Sequence, residues 1–234
     1  MSLTKIRSNN YIESFLTRNL KAFVISNSHF TNFIAFDNSN FVIIKNNNDY
    51  YHFKDNKFKK INKFRTSVEF NNKIFWKDID SFDQNNKLIC NKIRKTVLHL
   101  TDSDINKTLI GIGGEFYIYF SFLKYKNYIG FSNHQTIIDD ANINCSFYVN
   151  NYSNKLVDYN KFEINNKYSS NIIINLVTIL DSVIKEIAKL DFDKLVIISC
   201  KPLKPILSKL FKLQYIEHFD NYNGFVSVSL WKKR

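Results

Sequence analysis

Three of the chain's five glycines, Gly111, Gly113 and Gly114, fall within four residues. A short apolar run, Thr108–Ile110, leads into them, and a long apolar segment, Glu115–Tyr125, follows. Glycine lets a chain turn sharply and lets its backbone come close to another group. A strand, a glycine-rich turn and a crossover helix would form the first unit of an open α/β sheet that binds a nucleotide-like ligand at its strand ends. No Gly-Lys-Ser/Thr follows the turn, so it is not a phosphate loop of the nucleotide-hydrolase type. A second set of residues lies between His52 and Arg65, where cations interleave with Phe53, Phe58 and Phe64. Cations neutralise phosphates, and flat rings stack on unpaired bases. The candidate nucleic-acid contacts are Lys54, Lys57, Phe58, Lys59, Lys60, Lys63 and Arg65. A hairpin with lysines turned outward would give the same alternation, and that alternative stays open.

Other chemistry-bearing residues are scattered. His29, His52, His99, His134 and His218 show no metal-ligand spacing. Cys90, Cys145 and Cys200 are odd in number and unpatterned, which argues for reduced thiols and against a zinc site. No metal is expected. The pair Asp139-Asp140 reads as a solvated helix face rather than an acid/base pair.

The 234-residue chain is 44% hydrophobic, enough for a real core. Its net charge of +12 suits an acidic partner, nucleic acid first. Arginine occurs only at Arg7, Arg18, Arg65, Arg94 and Arg234, and the excess of Lys, Asn, Ile, Phe and Tyr also follows A/T-rich codons. That bias points to a large cytoplasmic DNA virus, a cytoplasmic plasmid or a protist, and to a cytoplasmic or virion location. No stretch approaches the roughly 18 apolar residues of a membrane span. The opening MSLTKIRSNNY lacks the apolar centre of a signal peptide.

The elements that must position these residues fall into two regions. The first twenty residues suggest a short helix, with Tyr11, Phe15 and Leu20 on one side. Short β-branched or aromatic runs follow at Ala22–Ser26, Asn32–Phe36, Phe41–Lys45, Tyr50–Phe53, Thr66–Phe70 and Lys73–Trp76, separated by Asn/Asp/Ser clusters. This predicts an antiparallel meander or small barrel. Polarity rises at Ser81–Asn86, giving a small, mainly β domain over 1–84 and an α/β domain over 85–234. In the second, Lys87–Leu100, Glu115–Tyr125, Gln135–Ile143 and Leu176–Leu190 read as helices, and Pro202 or Pro205 starts another. Thr108–Ile110, Tyr128–Phe131, Asn171–Asn175 and Lys194–Ser199 read as strands, the last two as continuous buried runs. Cys145–Val149 and Lys155–Tyr159 compete for one further strand. Tyr215–His218 and Phe225–Trp231 close the chain as an antiparallel pair. Such alternation means a Rossmann-like parallel sheet with helices on both faces.

This order, ending on an antiparallel hairpin, resembles the class I S-adenosylmethionine-dependent methyltransferases from about Lys87 to Arg234. Leu109-Ile110-Gly111-Ile112-Gly113-Gly114-Glu115 resembles the family's first motif, in the Gly-x-Gly-Gly form of trimethylguanosine synthases. Thr136–Asn142 resembles the helix after the second strand. Lys194–Pro202 resembles the fifth strand of RNA uracil-5 methyltransferases. The resemblance implies that Gly111, Gly113 and Gly114 cradle the methionine end of S-adenosylmethionine, that Asn133 takes the place of the carboxylate that usually meets the ribose, and that Asn175 positions a target amine as the catalytic residue. It also offers Cys200 as a nucleophile, although burial as a small apolar side chain fits that residue better.

The departures from the family pattern matter as much. Gly111 stands where an acidic residue usually ends the first strand, no carboxylate ends the second, and the Asp/Asn-Pro-Pro motif is reduced to Asn175-Leu176-Val177. These losses favour a degenerate methyltransferase that binds no cofactor and serves as an RNA-binding or stabilising partner in a larger assembly. The alternatives are an active RNA methyltransferase that binds S-adenosylmethionine, and a purely structural interaction protein. No membrane partner is expected.

Overall fold

A computed structural model describes residues 11–17, 20–26, 34–36, 42–46, 49–54, 57–61, 65–78, 81, 87–166, 168–176, 178–221 and 224–234, and before residue 65 their backbone alone. The chain forms two compact units, 1–67 and 68–234.

In the first unit, β1 (Tyr11–Thr17) and β2 (Leu20–Ser26) pair antiparallel. Of the short helix expected over the first twenty residues, Tyr11–Thr17 is strand instead, and 1–10 lie outside the described residues: Tyr, Ile, Phe and Thr favour the strand, and pairing runs from Tyr11 opposite Ser26 to Thr17 opposite Leu20. Strands β3 (Ile34–Phe36), β4 (Val42–Asn46), β5 (Asp49–Lys54) and β6 (Lys57–Ile61) form a four-stranded meander in chain order.

The compact units divide after Ser67, ahead of the polar stretch 81–86. A tight hairpin accounts for this. Strands β7 (Arg65–Phe70) and β8 (Lys73–Asp78) turn at Asn71 and Asn72. Both asparagines have positive φ, 48° and 61°, as the mirror-image two-residue turn of a hairpin demands. Phe70, Phe75, Lys77 and Asp78 are then buried within the second unit.

That unit runs α1 (Lys87–Thr101), β9 (Asp104–Gly113), α2 (Phe116–Phe120), β10 (Tyr125–Ser132), α3 (Gln135–Tyr148), β11 (Tyr152–Leu156), β12 (Ser170–Asn175), α4 (Asp181–Lys189), β13 (Phe192–Ser199), α5 (Pro205–Leu210), β14 (Phe211–Asn221) and β15 (Gly224–Lys233). The sheet order is β11-β10-β9-β12-β13-β15-β14. The first five strands are parallel, and β15 is antiparallel to both of its neighbours. This is the Rossmann-like sheet with a terminal antiparallel hairpin that the alternation predicts.

The central strands are buried on both faces, and successive side chains join opposite cores because they face opposite ways. Leu109, Ile173, Val196 and Val228 join α1, α2 and α3 in one core. Ile110, Ile112, Ile172, Ile174, Leu195 and Ile197 join α4 and α5 in the other. Several elements differ from expectation, among them α4, which begins at Asp181 rather than Leu176. Strand β9 runs on through the glycines to Gly113, α2 ends at Phe120, and Cys145–Val149 closes α3 rather than forming a strand.

Candidate functional site

Parallel α/β sheets carry their ligands beyond the carboxyl ends of the strands. At that edge the structure gathers Gly113, Gly114, Asn133 and Asn175. Gly113 pairs with Asn175 across β9 and β12, and the Gly114 N–H donates to the Asn175 carbonyl at 2.9 Å. Asn175 is half-buried and Asn133 is exposed just beyond β10. Gly113 has φ +99°, and a Cβ there would run into the Asn175 carbonyl. The glycine is needed for its backbone and for close approach to β12.

Gly111 serves a different purpose. It lies inside β9, opposite Gly130 of β10. A Cβ on Gly111 would collide with the Cβ and Cγ of Phe116, and one on Gly130 with the far edge of the same ring. The two missing side chains make a slot across adjacent strands, and Phe116 fills it with none of its surface exposed. All five residues of α2, Phe116-Tyr117-Ile118-Tyr119-Phe120, are buried. The ring of Phe116 lies 5.2 Å from that of Phe120 and 6.1 Å from that of Tyr117.

The turn into α2 is locked from below. Glu115 adopts a left-handed conformation, φ 56°, which costs energy for a residue other than glycine. Its carboxylate accepts from Arg94 of α1 at 2.8 Å, and both side chains are under 5% exposed. Burial works against the Arg94 cation, but the Glu115 charge, smaller contributions from Cys90 and Tyr119 and the hydrogen bond to Glu115 together outweigh it and hold the guanidinium above its ordinary value. Arg94 also lies over the Phe70 ring, 5.6 Å from its centre. In the sequence Arg94 stands in the basic run Lys92-Ile93-Arg94-Lys95, and nothing there distinguishes it from its solvent-facing neighbours.

From the opposite face, the segment after β11 folds over the same edge. The Tyr159 hydroxyl donates to the Phe131 carbonyl at 3.3 Å. Burial pushes this hydroxyl up to about 12, against opposing hydrogen bonds with Ser132 and the backbones of Asn133 and Gly113. It therefore sits between the ends of β9 and β10. Phe162 packs edge-on to both Phe131 and Tyr159, and Ser182 of α4 donates to the Tyr159 carbonyl. The slot of Gly111 and Gly130 and the space between the ends of β9 and β10 are thus filled by the chain's own side chains.

Two other expectations change. Cys200 is exposed: β13 stops at Ser199, whose hydroxyl accepts the Lys201 N–H at 3.2 Å and turns the chain out of the sheet. Asp140 is fully buried rather than solvated. Both of its carboxylate oxygens accept the Asp78 N–H at 2.9 Å, and it also accepts from Ser81. One turn later Asn144 brackets Trp76, accepting its N–H at 2.8 Å and donating to its carbonyl at 2.6 Å. Two side chains spaced four apart on α3 thereby satisfy the free edge of β8.

The cation-rich candidates lie on other elements. Pairing sets Lys54 opposite Lys57 and Tyr51 opposite Lys60 in the β5–β6 hairpin. Phe58 and Lys59 lie in β6 and Arg65 starts β7, whereas Lys63 falls outside the described residues. No group of His, Cys, Asp and Glu among the described residues could hold a metal ion, and no helix among them is long and apolar enough to cross a membrane.

No family model and no curated protein matches the chain. Solved structures do. The tRNA (uracil-54, C5)-methyltransferase of Pyrococcus abyssi, in complex with S-adenosyl-L-homocysteine, aligns over 74% of this chain at 14% identity with a TM-score of 0.57. The chain spans only 45% of that enzyme. M. jannaschii TYW2, in complex with AdoMet, aligns over 76% of this chain and 90% of its own at 16% identity and a TM-score of 0.55. The N-methyltransferase NodS of Bradyrhizobium japonicum aligns over 64% of this chain and 98% of its own at 12% identity and a TM-score of 0.52. Likeness at such identity is a likeness of fold.

Proposed function

The chain has the fold of the class I S-adenosylmethionine-dependent methyltransferases, and we propose that it uses this fold without the cofactor, as an RNA-binding or stabilising subunit of an RNA-processing or other larger assembly. The observation that carries this reading is the packing of Phe116 into the slot of Gly111 and Gly130. A binding edge kept for a ligand would leave that slot open. Here Phe116, Tyr159 and the Arg94–Glu115 pair give the edge a second use, as core. The absent carboxylate beside Asn133 and the absent prolines after Asn175 support the same reading.

RNA as the partner is supported by the net charge of +12 and by the cations at Lys54, Lys57, Lys59, Lys60, Lys63 and Arg65. The reduced cysteines and A/T-rich residue usage support a cytoplasmic setting, that of a large DNA virus included.

Calorimetric titration of the whole protein with S-adenosylmethionine, beside a thermal-shift series, tests the proposal. We expect no heat and no shift at millimolar ligand. A ligand present at about a hundred times its Kd would stabilise the fold by about 2.7 kcal/mol, well within detection. Micromolar binding would overturn the proposal in favour of an active enzyme, with Asn175 as the residue to substitute first.

A further inference from the structure

The amino end of the same sheet holds a groove of about 580 Å³. It lies where α2 passes into β10 and α3 passes into β11, across the sheet's length from Gly113 and Asn133. Its walls include Lys73, Lys124, Lys126, Tyr148, Asn150 and Asn151, and no carboxylate lines it. Lys124 and Lys126 are exposed, and neither forms an ion pair among the described residues. Other lysines at this edge are neutralised: Lys107 by Asp104 and Asp193, Lys194 by Asp102.

Lys73 is held in place rather than free to swing. Its ammonium donates to the Ser121 carbonyl and lies 4.7 Å from the centre of the Phe122 ring and 4.8 Å from that of Tyr148. Burial lowers its pKa from the ordinary lysine value. An anion in the groove would relieve that cost. The floor is rigid, because the Tyr128 hydroxyl donates to the Leu123 carbonyl at 2.7 Å and the Tyr125 hydroxyl to the Asp102 carbonyl at 2.6 Å.

We propose that this groove is a binding site for phosphate groups, held by Lys73, Lys124 and Lys126 with the amides of Asn150 and Asn151 beside them. Phosphate is the chemistry that three lysines lining one groove without a carboxylate select. The Phe122 and Tyr148 rings at Lys73 already pack against Phe75 and against that lysine, so the groove recognises charge and not a base. The phosphates come either from an RNA backbone, which rests on the RNA reading above, or from a free polyphosphate, which does not. Neither source depends on whether S-adenosylmethionine binds.

The test uses the full chain with two probes: a fluorescent single-stranded oligoribonucleotide, read by anisotropy over a salt series, and tripolyphosphate, read by calorimetry. Each is compared between wild type, Lys124→Ala/Lys126→Ala and the conservative Lys124→Arg/Lys126→Arg, with thermal melting to confirm folding. Loss of two phosphate contacts should lower the salt slope by roughly 1.4 and the affinity by roughly 25-fold at 0.1 M salt, while the arginine pair retains binding. RNA binding lost in the alanine pair supports a backbone site. Tripolyphosphate binding lost in that pair, with no RNA binding, supports a free-ligand site. The proposal is overturned if neither probe binds the wild type, or if the alanine pair binds as the wild type does.

Discussion

At the carboxyl ends of β9, β10 and β12 the chain buries Phe116, Tyr159, Arg94 and Glu115; at the amino ends of β10 and β11 it leaves a groove lined by three lysines. The two edges belong to one sheet, yet they follow opposite rules. In open α/β sheets the carboxyl edge is the usual ligand edge, because strand ends and helix amino termini converge there. In this molecule the helix that would start at that edge has only five residues, all buried. The amino edge has no such tradition, but here it carries the uncompensated charge. A fold's customary site and a particular chain's polar surface are separable properties.

Removing Phe116 attacks the contrast most directly. Phe116→Ala should cost about 3–5 kcal/mol in urea unfolding, since the slot over Gly111 and Gly130 cannot collapse. If the filled edge hides a latent ligand site, S-adenosylmethionine will raise the melting temperature of this variant and not of the wild type. If the variant stays unresponsive, the edge has lost more than space.

Breaking the ion pair comes next. Arg94→Met leaves a buried carboxylate without its partner and should cost about 3 kcal/mol or more. Arg94→Met/Glu115→Leu should recover much of the loss. A double variant as unstable as the single would mean that the left-handed turn at Glu115 needs the hydrogen bond itself.

The smallest effect is alkaline. The unfolded tyrosine titrates near 10 and the folded Tyr159 near 12. Its neutral form is favoured in the fold, so its contribution is complete below pH 10 and is lost as pH rises through 12. Stability measured across that window should fall less in Tyr159→Phe than in wild type. Tyr125, raised over the same interval by burial, keeps part of the decline in both.

The alternation of strands and helices was readable because continuous runs such as Ile172–Ile174 and Val196–Ile198 suit strands buried on both faces. The glycines were readable as a place of close approach, but sequence cannot say what approaches. Gly111 and Gly130 are nineteen places apart and meet only through parallel pairing, so the slot that takes Phe116 has no local signature. Asp140 and Asn144 were equally opaque: a four-residue spacing on α3 serves a solvated face as well as it serves a clamp on β8. Arg94 was no more legible, one cation in the run Lys92-Ile93-Arg94-Lys95 until the fold sets Glu115 beside it.

Strand β15 follows β14 in the chain but lies between β13 and β14 in the sheet. During synthesis the ribosome therefore delivers β14 first, while its proper neighbour is still unmade. Until residues 224–233 emerge, β13 presents a bare hydrophobic edge, and β14 is free to pair with it in the wrong place. At translation rates of about 5–20 residues per second, that exposure lasts about a second or more, long enough for premature pairing or capture by a chaperone to decide the yield of folded protein.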